Sequence, residues 1–308
     1  MKNKRRFHWR DQKEQSSRVM LWLLAWIALH IGRRSTFLLL YPIVFCFFLT
    51  AHNARRVSRE YLKRALRRTP TWQEVWQHFY TFAAVSVDRF YFLSGRENLF
   101  QCSWSGEEIF KEYAAKKQGV ILVVSHFGSF DAMRAPGIRQ YHLPIRMLMD
   151  KQHHSRAMAL LETLDPGLAA SVLDTHLSPP ELILTLSECL KRGEWIGMMA
   201  DRAGRNERVE ACSFLGGRAH FPVGPWLLSH ILKLPVILCF AFYEGDRRYR
   251  LAFELAIEQT VATRKERNMA IQKAIEHYAK RLEHYIHLFP YNWFNFFDFW
   301  IDETPSHH

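Results

Sequence analysis

Two apolar blocks of 13 residues each, 19–31 and 37–49, dominate the start of the chain and are split by Gly32-Arg33-Arg34. As helix, each block is about 20 Å long at 1.5 Å per residue, short of a ~30 Å hydrocarbon core. The first eighteen residues are polar and basic, and no small-residue cleavage site follows either block, which argues against a signal peptide. The pattern fits either one tilted span or two helices in a membrane interface. Basic residues flank both blocks, which favours insertion from one side. Residues 52–68, HNARRVSREYLKRALRR, repeat Val57, Tyr61, Leu62, Ala65 and Leu66 at helical spacing, with a basic opposite face suited to anionic lipid head groups. Thr69-Pro70-Thr71 breaks this helix, and residues 72–93 predict another with an aromatic stripe facing a core.

From Gly119 the periodicity changes. Residues 119–124, GVILVV, form a continuous apolar run rich in β-branched side chains, the mark of a strand buried on both faces. Further strands are predicted at 145–149, 195–200, 235–242 and 249–254, and helices at 155–164, 179–191, 224–232 and 264–287. Short strands alternating with helices predict an α/β fold, a mainly parallel central sheet flanked by helices, preceded by amino-terminal membrane-associated helices. The organisation expected is a basic, hydrophobic anchoring region, 1–68, and a catalytic domain, 69–308. Gly216-Gly217 is expected to form a tight turn between two strands.

Charge and composition narrow the function. The net charge of +12 calls for an anionic partner, and the crowding of basic residues beside the apolar blocks favours a membrane. With 10 Trp, 11 Tyr and 23 Phe, the chain is rich in the side chains that favour lipid interfaces. No nucleic-acid-binding motif accompanies the positive charge. The five cysteines are scattered, without CxxC or Cys/His spacing, so neither a disulfide framework nor a structural zinc site is expected; the histidines also lack ligand spacing, and no metal is expected.

The candidate chemistry comes directly after the buried strand, as SHFGSFD, 125–131. Open α/β sheets place their ligand sites at the carboxyl ends of such strands. His126, with Asp131 five positions on, predicts a general base whose second ring nitrogen is held by a carboxylate. No serine or cysteine stands in a nucleophile-elbow context, so direct attack by a substrate hydroxyl is expected rather than a covalent enzyme intermediate. The bland alternative for the same stretch is a helix start, with Ser125 or Ser129 as cap and Asp131 at its positive end.

This stretch resembles the HxxxxD motif of the lysophospholipid acyltransferase superfamily and of the late acyltransferases of lipid A biosynthesis. Three further blocks are similar to that family: GEWIGMMADR (193–202), FLGGRAHFPVGP (214–225) and PYNWFNFF (290–297). The resemblance implies a membrane enzyme of the bacterial inner membrane, its catalytic domain on the cytoplasmic side. It would transfer a fatty acyl group from an acyl-carrier-protein or coenzyme A thioester to a hydroxyl of a lyso-lipid or glycolipid, without a resident cofactor. His126 and Asp131 would be catalytic; Asp201, Arg202 and Arg205, with Gly128 and Ser129, would bind substrate, the arginines as forks on a phosphate. Membrane lipids and acyl carrier protein are the partners implied. Asp131 stands where lipid A acyltransferases usually carry Glu, and VLDTHLS (172–178) offers only His176 where they tend to carry a basic residue, so the resemblance leaves the acceptor open. A membrane-binding scaffold that keeps the fold without activity is the alternative, and it predicts that His126 and Asp131 do not interact.

Overall fold

The computed structural model describes residues 18–134, 141, 143–151, 155–204, 207–258 and 264–301. Its centre is a seven-stranded sheet made of β1 (Gln101–Ser105), β2 (Ile121–Val124), β3 (Ile145–Met149), β4 (Leu173–Asp174), β5 (Trp195–Met199), β8 (Val236–Gly245) and β9 (Arg248–Ile257). The strand order is β1-β9-β8-β2-β5-β3-β4. Every pairing is parallel except the β8–β9 hairpin. The expected mainly parallel α/β sheet is therefore present, with one antiparallel pair inside it. A separate hairpin, β6 (Val209–Phe214) and β7 (Gly217–Pro222), turns at Leu215-Gly216, both at positive φ, as the glycine pair suggested.

The sheet order follows from burial. All four residues of β2 are at most 3 % exposed, so it occupies the middle and is covered on both faces. β1 and β4 were not anticipated. Gln101–Ser105 alternates exposed and half-buried positions at the sheet edge, and the two residues of β4 carry no readable period. Helices α5 (Glu107–Ala115), α6 (Ser155–Leu164), α7 (Pro166–Ser171), α8 (Pro179–Lys191), α9 (Gly224–Leu232) and α10 (Arg264–Leu288) surround the sheet.

Before the sheet come four helices: α1 (Arg18–Ile31), α2 (Arg33–Thr50), α3 (His52–Ala65) and α4 (Trp72–Leu93). α4 starts with a capping box, in which Thr71 Oγ1 accepts from the Glu74 N–H and Glu74 accepts from the Thr71 N–H. α2 buries Thr36, Leu40, Val44 and Phe48, one stripe at four-residue spacing, against α4. Its other faces leave Leu38, Tyr41, Ile43, Phe45, Phe47 and Leu49 exposed. A bidentate ion pair holds its start: Arg33 Nε and Nη2 donate to Asp88 of α4 at 2.7 and 3.0 Å. α2 is the one described helix long and apolar enough to cross a membrane by length and composition.

α3 is amphipathic as its spacing predicts, and its apolar face is turned into the protein. Val57, Tyr61, Leu62 and Ala65 are at most 3 % exposed and pack into the protein, where each large apolar side chain contributes roughly 1.5–3 kcal/mol. Part of the basic face also serves the protein. Arg56 pairs with Asp298, Arg64 lies over the Trp300 ring and Arg68 pairs with Glu74. Arg59 and Lys63 stay exposed. In packing, α3 belongs with α4 and the carboxyl-terminal segment that carries Trp300.

Candidate active site

The site is built where two parallel strands end together. β2 and β5 are paired in register, Val124 against Met199. The next backbone bond, Ala200 N–H to Val124 carbonyl at 2.9 Å, continues the ladder by one step. Each chain therefore places its second residue past the strand at the same level, His126 on one side and Asp201 on the other. Their side chains meet: His126 Nδ1 lies 2.9 Å from Asp201 Oδ1, and the His126 backbone N–H donates to Asp201 Oδ2 at 3.1 Å.

The carboxylate is completely buried, whereas the imidazole keeps 31 % exposure. A third donor, the indole Nε1–H of Trp293, reaches Asp201 Oδ2 at 3.1 Å. Burial by itself would raise the Asp201 pKa. The charge and hydrogen bonds of His126, helped by the nearby Arg202 charge, outweigh it and hold the carboxyl down at about 2. An ionised carboxylate only accepts, so the Nδ1 facing it carries a proton, and in the neutral ring the lone pair is then on Nε2. Among the described residues nothing hydrogen-bonds Nε2. A partly exposed imidazole in this tautomer is equipped to take a proton from a ligand hydroxyl.

The turn after His126 is locked by backbone bonds. The Gly128 N–H donates to the Asn292 carbonyl at 2.7 Å, the Ser129 N–H to the Ala241 carbonyl at 2.9 Å, and the Phe294 N–H to the His126 carbonyl at 2.9 Å. Gly128 has φ +61°, and a Cβ there would lie 1.7 Å from the Ala241 oxygen, so only glycine passes. Asn292 is itself clamped, accepting from the Tyr243 N–H at 2.7 Å and donating to the Tyr243 carbonyl at 3.1 Å. The carboxyl-terminal segment thus splints the site against the end of β8.

The expected site residues do not all come together. Asp131 makes no hydrogen bond or ion pair with His126 among the described residues. It sits in a five-residue 3₁₀ turn, Phe130–Arg134, with Oδ2 3.3 Å from Arg89 Nε of α4. The carboxylate found at Nδ1 is that of Asp201, because strand register brings it there while the turn carries Asp131 away. The inactive-scaffold alternative predicts no interaction between His126 and Asp131, and none is present among the described residues; the carboxylate on His126 comes from Asp201 instead. Asp201, expected to touch substrate, is sealed beneath the imidazole. Arg202 does not present a free fork either: it is half-buried, its Nη2 donates to the Phe294 carbonyl at 2.5 Å and its guanidinium lies 4.8 Å from the Phe297 ring centre. Burial lowers its pKa, against the opposing charge of Asp201, and its Nε is buried without a hydrogen-bond partner. Gly128 and Ser129 have committed their N–H groups to the fold. Neither Ser125 Oγ nor Ser129 Oγ caps a helix; both hydroxyls are buried. Arg205 lies outside the described residues.

The family model for bacterial lipid A biosynthesis acyltransferases matches residues 67–301. The chain belongs to this family. It is an acyltransferase, as the HFGSFD, GEWIGMMADR and FLGGRAHFPVGP blocks implied. No curated protein matches the chain. The match begins just ahead of α4, so α1, α2 and α3 precede it.

Three residues of this acyltransferase that adjoin the candidate site have no role predicted from sequence. Trp293 stands out in sequence only as part of the PYNWFNFF block, although its indole N–H is spent on Asp201. Asn292 and Arg89 carried no local pattern. The one available signal was the repeated ending of two apolar strands, VVSH and MMAD, which pairs His126 with Asp201 once the strands are taken as parallel neighbours.

Proposed function

We propose that this acyltransferase moves a fatty acyl group from an acyl-carrier-protein or coenzyme A thioester to a hydroxyl of a lipid A-like glycolipid or lyso-lipid, with His126 as general base. The observation that carries the reading is the 2.9 Å contact of His126 Nδ1 with the buried Asp201 carboxylate beneath a partly exposed imidazole. As the acceptor hydroxyl attacks the thioester carbonyl, Nε2 takes its proton and the new C–O bond forms. Asp201 stabilises the imidazolium that results. The tetrahedral intermediate then breaks its C–S bond, and the imidazolium returns the proton to the departing sulfur. The products are an ester and a free thiol.

Asp131 and Arg89 serve substrate binding in this proposal. They form a partly exposed ion pair, with side chains 14 % and 36 % exposed, beside the turn that carries His126. A guanidinium held at one edge by a carboxylate keeps its other N–H groups for an anionic headgroup or the phosphate of a donor arm. The exposed apolar faces of α1 and α2 support attachment to a membrane, and the inner membrane with the catalytic domain in the cytoplasm fits a thioester donor made there. Because α2 is packed along one stripe on α4 and tied at Arg33, an in-plane insertion fits it better than a free-standing span.

Two measurements test the reading. Lipid mass spectrometry of a deletion strain beside its parent identifies the acyl ester that disappears, and with it the acceptor. Purified His126→Ala protein, supplied with dodecanoyl thioesters of acyl carrier protein and of coenzyme A, is expected to release thiol no faster than solvent alone. Full activity in that variant rules the mechanism out.

A further inference from the structure

Beneath the His126–Asp201 pair lies a second imidazole that the acyl-transfer chemistry does not use. His78, on α4, is fully buried. Its Nε2 lies 2.9 Å from the Trp293 backbone carbonyl, and its Nδ1 lies 2.8 Å from Ser58 Oγ of α3. The carbonyl can only accept, so Nε2 carries the hydrogen. Nδ1 then holds a lone pair, and the Ser58 hydroxyl donates to it. Burial pushes the imidazole down to about 4, so it stays neutral and keeps this single tautomer at neutral pH.

We infer that His78 is a positioning residue for the acyl-transfer reaction, holding Trp293 so that its indole N–H fixes the Asp201 carboxylate under His126. Three donors lead toward Asp201, Ser58 hydroxyl to His78, His78 to the Trp293 carbonyl and Trp293 indole to the carboxylate, and His126 Nδ1–H donates to the same carboxylate from the other side. Ring contacts leave the parts little room. Tyr61 packs edge-on to Trp293 at 5.2 Å and donates its hydroxyl to the Pro290 carbonyl at 2.6 Å, while Phe296 stacks on His78 at 4.6 Å. The Trp293 carbonyl also accepts from the Asn295 N–H at 2.8 Å, so His78 supplies one of two donors there and its loss loosens the segment without releasing it. Ser58 and His78 lie on the helices that adjoin the exposed apolar surface of α1 and α2. The relay therefore ties the orientation of the base to the packing of that layer.

The inference rests on the proposed role of His126, and the experiment separates the two. His78→Gln places its amide nitrogen near Nε2 and keeps a donor for the Trp293 carbonyl; His78→Asn places it near Nδ1 and loses that donor. With dodecanoyl-acyl carrier protein as donor, dodecanoyl-coenzyme A as the alternative, and a lipid A precursor as acceptor, His78→Asn is expected to lower kcat at least tenfold with KM changed less than twofold. His78→Gln should return kcat to within about threefold of the parent. Equal kcat values for the two variants, or a loss carried by KM, would overturn the relay. Ser58→Ala, a milder change, should lower kcat a few-fold at unchanged KM, and it decides the matter if both His78 variants fail to fold; an unaltered kcat there overturns the proposal. In ¹⁵N-histidine-labelled full-length protein, His78→Asn is expected to shift the His126 Nδ1–H resonance and His78→Gln to restore it; a resonance unmoved by both counts against the relay. His126→Ala, run alongside, is inactive if the base assignment holds. Activity in His126→Ala defeats the proposed function, whereas an inactive His126→Ala beside kinetically normal His78 and Ser58 variants defeats the relay alone.

Discussion

Replacing Asp201 by Asn changes one atom, but it forces a choice on His126. The carboxylate, itself without solvent exposure, accepts three N–H groups, at 2.9, 3.1 and 3.1 Å. An amide has one oxygen to accept with and turns an NH₂ group toward whichever donor is left. If that donor is Nδ1, the ring must move its hydrogen to Nε2, and the base is then in the wrong tautomer. The rate loss for a histidine held that way is about 10⁴-fold, or ~5.4 kcal/mol at 1.36 kcal/mol per tenfold. Thiol release from a dodecanoyl thioester with acceptor present measures it, and circular dichroism verifies that the variant is folded. Activity within tenfold of the parent would refute the assignment of Asp201 as the orienting carboxylate. The same substitution carries a pH signature. The folded-state pKa of about 2 lies below the ordinary 3.8, so the carboxylate contributes stability above pH 3.8 that disappears as pH falls toward 2. That contribution is about 2 kcal/mol, and acid unfolding of the Asn variant should lack this share of the pH dependence between those limits.

Three other substitutions test the same geometry. Asp131→Asn leaves the Nδ1 contact in place, so its loss of kcat should be at least tenfold smaller than that of Asp201→Asn, with the larger change in KM; kcat losses of equal size would restore Asp131 to His126. Gly128→Ala drives a Cβ into the Ala241 carbonyl at positive φ and should destabilise the fold by about 3 kcal/mol or more, read as a lowered Tm and lost activity. Asp88→Ala strips Arg33 and Tyr249 Oη of their shared carboxylate, a change of about 3–5 kcal/mol for a broken buried pair; limited proteolysis between α1 and α4 should then speed up.

Local pattern determined a good deal about this protein by itself. The apolar run 119–124 yields a strand, Ile121–Val124, buried on both faces because no polar side chain interrupts it, and the sheet has it at the centre. The 13-residue blocks become α1 and α2, and the glycine pair at 216–217 marks a real hairpin, since period and turn chemistry are local properties. His126 was legible for the same reason, as a polar residue ending a buried strand. Its partner was not. A spacing of five along the chain proposed Asp131, but side chains meet through space, and the register of β2 with β5 sets Asp201 beside the imidazole although it lies 75 residues away. The splint formed by Asn292 and Trp293, and His78 behind it, depend on contacts across 49 to 215 residues of chain. α3 reads as an amphipathic helix in sequence, and only packing decided what its apolar face is buried against. Periodicity tells which positions seek burial, and the tertiary structure alone determines what they are buried against.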